Sequence, residues 1–142
     1  MEEMTPEETR AFLLESTRTG KLATVREDGR PHVVPVWFLL DDDDIIFTTG
    51  AETVKGRNLQ RFPRVALSVD EETPPYAFVL IEGEASWSTN PDERLHWATR
   101  IAARYMGEER AEAYGRRNSV AGELLVRITP SKIVAHKGVA NW

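Results

Sequence analysis

The chain has 142 residues, 41% hydrophobic and 29% charged, an ordinary globular composition rather than a disordered one. Its 18 basic and 23 acidic residues leave a formal charge of −5, which counts against a free-standing nucleic-acid binder. The absence of cysteine excludes disulfides, thiolate metal sites and cysteine nucleophiles.

The acidic start MEEMTPEETR has no apolar signal core, so a cytoplasmic protein is expected. Within it, Thr5-Pro6-Glu7-Glu8 marks a helix start, with Thr5 as cap, Pro6 at the first helical position and Glu8 closing a capping box. Phe12 and Leu13 give this helix its apolar side, and Gly20 ends the segment. Lys21 to Arg26 then reads as a strand, and the Asp28-Gly29 pair as a hairpin turn. Pro31 to Leu40 follows as one longer strand with apolar residues on both faces. A strand covered on both sides belongs in a barrel wall with something packed outside it. Pro35 cannot donate to a ladder and marks an edge or bulge. The run Val33 to Leu40 is the longest apolar stretch and is too short for a membrane-spanning helix.

Asp41 to Asp44 is an acidic turn before a strand from Ile45 to Thr49. Glu52 to Phe62 reads as a short helix closed by Pro63, and Arg64 to Asp70 as a strand. A loop from Glu71 to Pro75 leads to a strand from Tyr76 to Ser88, in which Gly83 marks a bulge or a close approach. Asn90-Pro91-Asp92-Glu93 starts a helix to about Met106, with Leu95, Ala98, Ile101, Ala102 and Tyr105 at helical spacing. Glu108 to Arg117 is a second helical piece. Glu123 to Thr129 and Lys132 to His136 are the last strands, separated by Pro130-Ser131. With no linker or repeat, residues 1–142 read as one α+β domain. It is mainly β, with about six or seven short strands that suggest a small closed barrel, and a helical insertion over 90–117.

No phosphate loop, dinucleotide fingerprint, metalloprotease helix or EF-hand loop is present. His32, His96 and His136 have no metal-ligand spacing, and Asp41 to Asp44 lacks the glycine and distal glutamate of a calcium loop, so no metal is expected. The segment Lys55-Gly56-Arg57-Asn58-Leu59-Gln60-Arg61-Phe62-Pro63-Arg64 holds four cations and no anion in an acidic protein. It follows the strand end Phe47-Thr48-Thr49-Gly50. Threonine hydroxyls, free N–H groups at a helix N-terminus and paired cations would make a cradle for a phosphate or carboxylate. The alternative is a solvated basic face. Val34 to Phe38 would serve as a wall for a planar ring, or simply pack in the core. Trp142 would cover a partner or ligand, or fray.

These residues resemble a known family. Gly20-Lys21-Leu22-Ala23-Thr24-Val25 with Asp28-Gly29-Arg30-Pro31-His32-Val33-Val34-Pro35-Val36-Trp37-Phe38 is similar to the N-terminal hairpin of the pyridoxamine 5′-phosphate oxidase-like superfamily. Phe47-Thr48-Thr49, Lys55-Gly56-Arg57-Asn58-Leu59 and Pro63-Arg64-Val65-Ala66-Leu67 resemble its branch that uses the deazaflavin coenzyme F420, the flavin/deazaflavin oxidoreductase B group. The resemblance spans about Glu7 to His136. It implies a six-stranded split β-barrel of the FMN-binding type and a homodimer with cofactor sites at the interface. It also implies hydride transfer between coenzyme F420 and a small-molecule acceptor. It places Lys55, Arg57 and Asn58 near the cofactor phosphate, Thr48 and Thr49 beneath it, and Pro35, Val36 and Trp37 along the ring. An FMN-binding oxidoreductase of pyridoxamine 5′-phosphate oxidase type and a non-enzymatic cofactor carrier are the alternatives. The cofactor carries the chemistry, so no catalytic side chain is assigned, and His32 and Tyr76 are read as structural. The insertion over 90–117 is where this chain would build its own pocket wall. Neither nucleic acid nor membrane is an expected partner.

Overall fold

The computed structural model describes residues 1–141, so the expectation for Trp142 falls outside the described residues. A two-residue strand β1 (Glu2–Glu3) precedes helix α1 (Pro6–Leu14). The capping box forms: the Thr5 hydroxyl accepts from the Glu8 N–H at 3.1 Å, and the Glu8 carboxylate accepts from the Thr5 N–H at 3.0 Å. The helix buries Phe12 and Leu13.

The hairpin of β2 (Gly20–Val25) and β3 (Pro31–Val36) turns at Gly29, whose φ of 87° favours glycine. Then come β4 (Leu39–Asp41), β5 (Asp44–Gly50), helix α2 (Val54–Arg61), β6 (Arg64–Glu71) and β7 (Ala77–Ser88). Helices α3 (Pro91–Met106) and α4 (Glu108–Arg117) lead to the last strand, β8 (Glu123–Lys137). The sheet is antiparallel, in the order β3-β2-β6-β7-β8-β5-β4, with β1 added to the end of β8. This is the mixed α+β, split-barrel architecture, with eight strands among the described residues rather than six or seven.

Three expectations are corrected. Pro31 to Leu40 is two strands, because the chain leaves the ladder at Trp37-Phe38. There the Phe38 N–H donates to the Tyr105 hydroxyl at 3.2 Å and its carbonyl accepts from Arg104 Nη1 at 2.8 Å, so side chains of α3 replace a neighbouring strand. The barrel is consequently split: among the described residues the terminal strands β3 and β4 do not pair. Pro130-Ser131 does not break the last strand. Gly83 pairs with Pro130 and Glu82 with Lys132, so Ser131 is the extra residue of a bulge, and its hydroxyl donates to the Glu82 carbonyl at 3.1 Å. A Cβ on Gly83 would lie 2.6 Å from the Thr129 carbonyl oxygen, which is the close approach its sequence position suggests.

The core fills the barrel with Leu22, Phe38, Ile45, Phe47, Leu67, Val69, Val79, Ile81, Val126 and Ile128. A smaller cluster of Ile46, Ile101 and Leu125, flanked by Trp37, Trp97 and Tyr105, seats α3 on the outside of β5 and β8. Among the described residues no helix is long and apolar enough to cross a membrane, and no group of histidine and acidic residues has metal-binding geometry.

Candidate functional site

The site begins where β5 runs into α2. The Thr53 hydroxyl caps α2, accepting from the Gly56 N–H at 3.1 Å and donating to the Gly50 carbonyl at 2.8 Å. The Thr49 hydroxyl lies 3.0 Å from it, so Thr49, itself buried, holds the cap. A Cβ at Gly56 would sit 2.1 Å from the Gly50 oxygen. Only glycine lets the first turn approach the strand end so closely. The N–H groups of Val54 and Lys55 find no acceptor among the described residues and retain the positive end of the helix dipole.

Beside this turn lies an open cavity of about 450 Å³. One wall is Pro35, Val36 and Trp37 from the end of β3, and the floor is Thr48, Thr49 and Gly50. Lys55 enters from α2, and Ala98 and Ile101 from α3 face it. Arg117, Asn118 and Glu123 complete it at the exit from α4 and the start of β8. The helical insertion therefore does supply a wall.

Trp37 is held rigidly. Its ring stacks on Tyr105, with centroids 5.2 Å apart and planes 4° from parallel, and the tilted ring of Tyr114 stands 6.4 Å away. The Tyr105 hydroxyl donates to the Arg18 carbonyl at 2.7 Å, so backbone bonds lock the platform behind Trp37.

Lys55 is half-buried and has no ion-pair partner among the described residues. Burial pushes its ammonium below the usual lysine value, against the attraction of Glu123. Burial raises the Glu123 carboxyl, opposed by Lys55 and Arg94. Arg94 is only 8% exposed; its Nη1 donates to the Glu123 carbonyl at 3.2 Å, and its Nε has no partner among the described residues.

The structure brings six of the eight expected site residues, Pro35, Val36, Trp37, Thr48, Thr49 and Lys55, to this cavity. Arg57 and Asn58 line a separate groove with Arg26, Arg30 and Arg61. For Arg57 helix geometry is the reason: a residue two places on points about 200° away around the axis. Arg57 is exposed and pairs with Glu52 at 2.7 Å. Asn58 is 4% exposed and donates to the Thr24 hydroxyl at 3.0 Å, fastening α2 to β2. Neither His32 nor Tyr76 lines the cavity. Tyr105 on α3, Arg117 on α4 and Glu123, placed by the β5–β8 ladder, escape a sequence reading because they come in from far along the chain.

A model of the pyridoxamine 5′-phosphate oxidase family matches residues 5–137. The chain belongs to that family. Among solved structures, conserved hypothetical protein Rv2991 from Mycobacterium tuberculosis is 28% identical, with a TM-score of 0.83 over 95% of this chain and 86% of that one. A protein described as an F420 reductase is 29% identical, with a TM-score of 0.69 over 87% of this chain and 94% of its own. The heme storage protein HutZ from Vibrio cholerae, 21% identical with a TM-score of 0.74 over 96% and 98%, shares the fold. No curated protein matches the sequence.

Proposed function

We propose that this family member is an F420-dependent oxidoreductase that moves a hydride between the deazaflavin and a small-molecule acceptor. The carrying observation is one cavity that joins a rigid aromatic wall, Trp37 on Tyr105, to a half-buried cation, Lys55, at a helix N-terminus, with no ion-pair partner for it among the described residues. That pairing suits a planar ring tethered to an anionic group. A structural relative described as an F420 reductase, at 29% identity, supports a flavin-type cofactor, and the deazaflavin is the reading proposed within that class.

The bound cofactor would supply the hydride chemistry. The protein's own residues bind and orient. Lys55 and the free N–H groups of Val54 and Lys55 would hold the anionic group. Trp37, Pro35 and Val36 would flank the ring, and Ala98 and Ile101 would help exclude water.

A second copy of the chain would finish the site. Pro35 lies on the outer face of the sheet as well as in the cavity. In register across that face run Val33, Ala23, Ala66, Glu82 and Lys132, and beside them Pro35, Lys21, Ser68, Leu80 and Val134. Val33 is 67% exposed, and Leu80 is also exposed. A mostly small or apolar strip continuous with the cavity mouth fits a twofold partner.

Turnover tests the proposal. Reduced coenzyme F420 incubated with the protein and a panel of electron-poor acceptors should regain the absorbance of the oxidised form. Tight binding with no oxidation by any acceptor would favour a cofactor carrier.

A further inference from the structure

The cavity contains a charge that works against anion binding. Among the described residues Glu123 is the one carboxylate lining it. Its backbone is fixed: it pairs with Gly50 across the ladder, its N–H donates to the Val120 carbonyl at 3.0 Å, and its carbonyl takes the Arg94 bond. Its carboxyl has no hydrogen-bond or ion-pair partner among the described residues. The charged groups around it are Lys55 on α2, Arg94 on α3 and Arg117 at the end of α4; β5 contributes only Thr48, Thr49 and Gly50. An anion drawn in by Lys55 and Arg117 meets an ionised Glu123 in a partly desolvated space, where like charges repel strongly.

We propose that Glu123 takes up one proton from solvent when an anionic group docks against Lys55, so that the cavity binds anion and proton together. The inference rests on the anion-binding reading of the cavity. The new O–H removes the repulsion and offers a hydrogen-bond donor to the anion. Burial already raises the Glu123 carboxyl above its usual value. By linkage, affinity should fall by up to about ten-fold per pH unit above the pKa that Glu123 has in the free protein. Glu123→Gln keeps a donor without the charge, so its affinity should vary little with pH and exceed wild type at pH 8.

Calorimetry reads the proton directly. Oxidised coenzyme F420 is titrated into wild type and Glu123→Gln at pH 7.5 in two buffers of different ionisation enthalpy, and sulfate serves as a second probe with no titration in this range. The expected result is net proton uptake by wild type that disappears in Glu123→Gln. Uptake that persists in the variant would assign the proton to Lys55 and overturn the inference. Binding of F420 without uptake would overturn the inference and leave the cavity reading standing. Failure of both F420 and sulfate to bind would overturn both. Should Glu123→Gln not fold, carbon-13 NMR of the Glu123 carboxyl in wild type decides: a move to the protonated position on sulfate addition supports the inference, and no move overturns it.

Discussion

The ring of Trp37 lies flat on that of Tyr105, and the Tyr105 hydroxyl bridges two backbone groups, donating to the Arg18 carbonyl and accepting from the Phe38 N–H. The break between β3 and β4, the wall of the cavity and the seat of α3 therefore depend on one side chain. Tyr105→Phe keeps the stack but leaves both backbone groups short of a partner, at a cost of about 1–3 kcal/mol. A melting curve should show a midpoint lowered by about 2–4 °C for each kcal/mol lost. An unchanged midpoint would mean that the bridge contributes nothing.

Gly56→Ala places a methyl group 2.1 Å from the Gly50 oxygen, a backbone atom that cannot rotate away. The first turn of α2 must retreat, carrying Lys55 with it. Crowding of this kind costs about 1–3 kcal/mol or more. The variant should melt earlier and bind cofactor less tightly, as calorimetry and titration would record. A gain in stability, the usual result of replacing glycine in a helix, would contradict the close approach.

The two cations of the basic segment should behave differently. Lys55→Ala removes a cavity cation and should raise the cofactor dissociation constant about ten-fold or more. Arg57→Ala removes an exposed group paired with Glu52 and should change affinity less than about three-fold, since exposed ion pairs are worth little. Equal losses would restore the single cradle that the sequence suggests.

Acid should weaken the fold partly through Glu71. Hydrogen bonds from Arg18, then from Thr73, hold its carboxyl at about 2, below the ordinary 4.5. A depressed folded-state pKa contributes stability above about 4.5, and that contribution is lost as pH falls from about 4.5 toward about 2. Unfolding curves across that range should be less pH-dependent for Glu71→Gln than for wild type. Identical slopes would rule out this pair as a source of acid sensitivity.

Local signals in the sequence are specific where the physics is local. The capping box at Thr5 and Glu8 and the Asp28-Gly29 turn each depend on neighbours within a few residues and are formed as read. The break at Trp37-Phe38 is not local. Alternation of apolar residues continues through it, and the groups that satisfy its backbone, Tyr105 and Arg104, stand some 67 residues away. Pro130 misleads for a related reason: a bulge at Ser131 accommodates its missing N–H inside a continuous strand. At the site, the strand and helix around Thr48 and Lys55 are legible because one turn joins them. The separation of Arg57 from Lys55 follows only from helix rotation, that of Asn58 from its bond to Thr24 on β2, and Glu123 enters only through the β5–β8 ladder.

The central claim is that this cavity is built for a deazaflavin. Fluorescence titration of the purified protein with coenzyme F420 and with FMN, side by side at one ionic strength, tests it most directly. The account predicts that F420 binds more tightly than FMN and that Lys55→Ala weakens it. FMN binding at least as tightly as F420 would contradict the account.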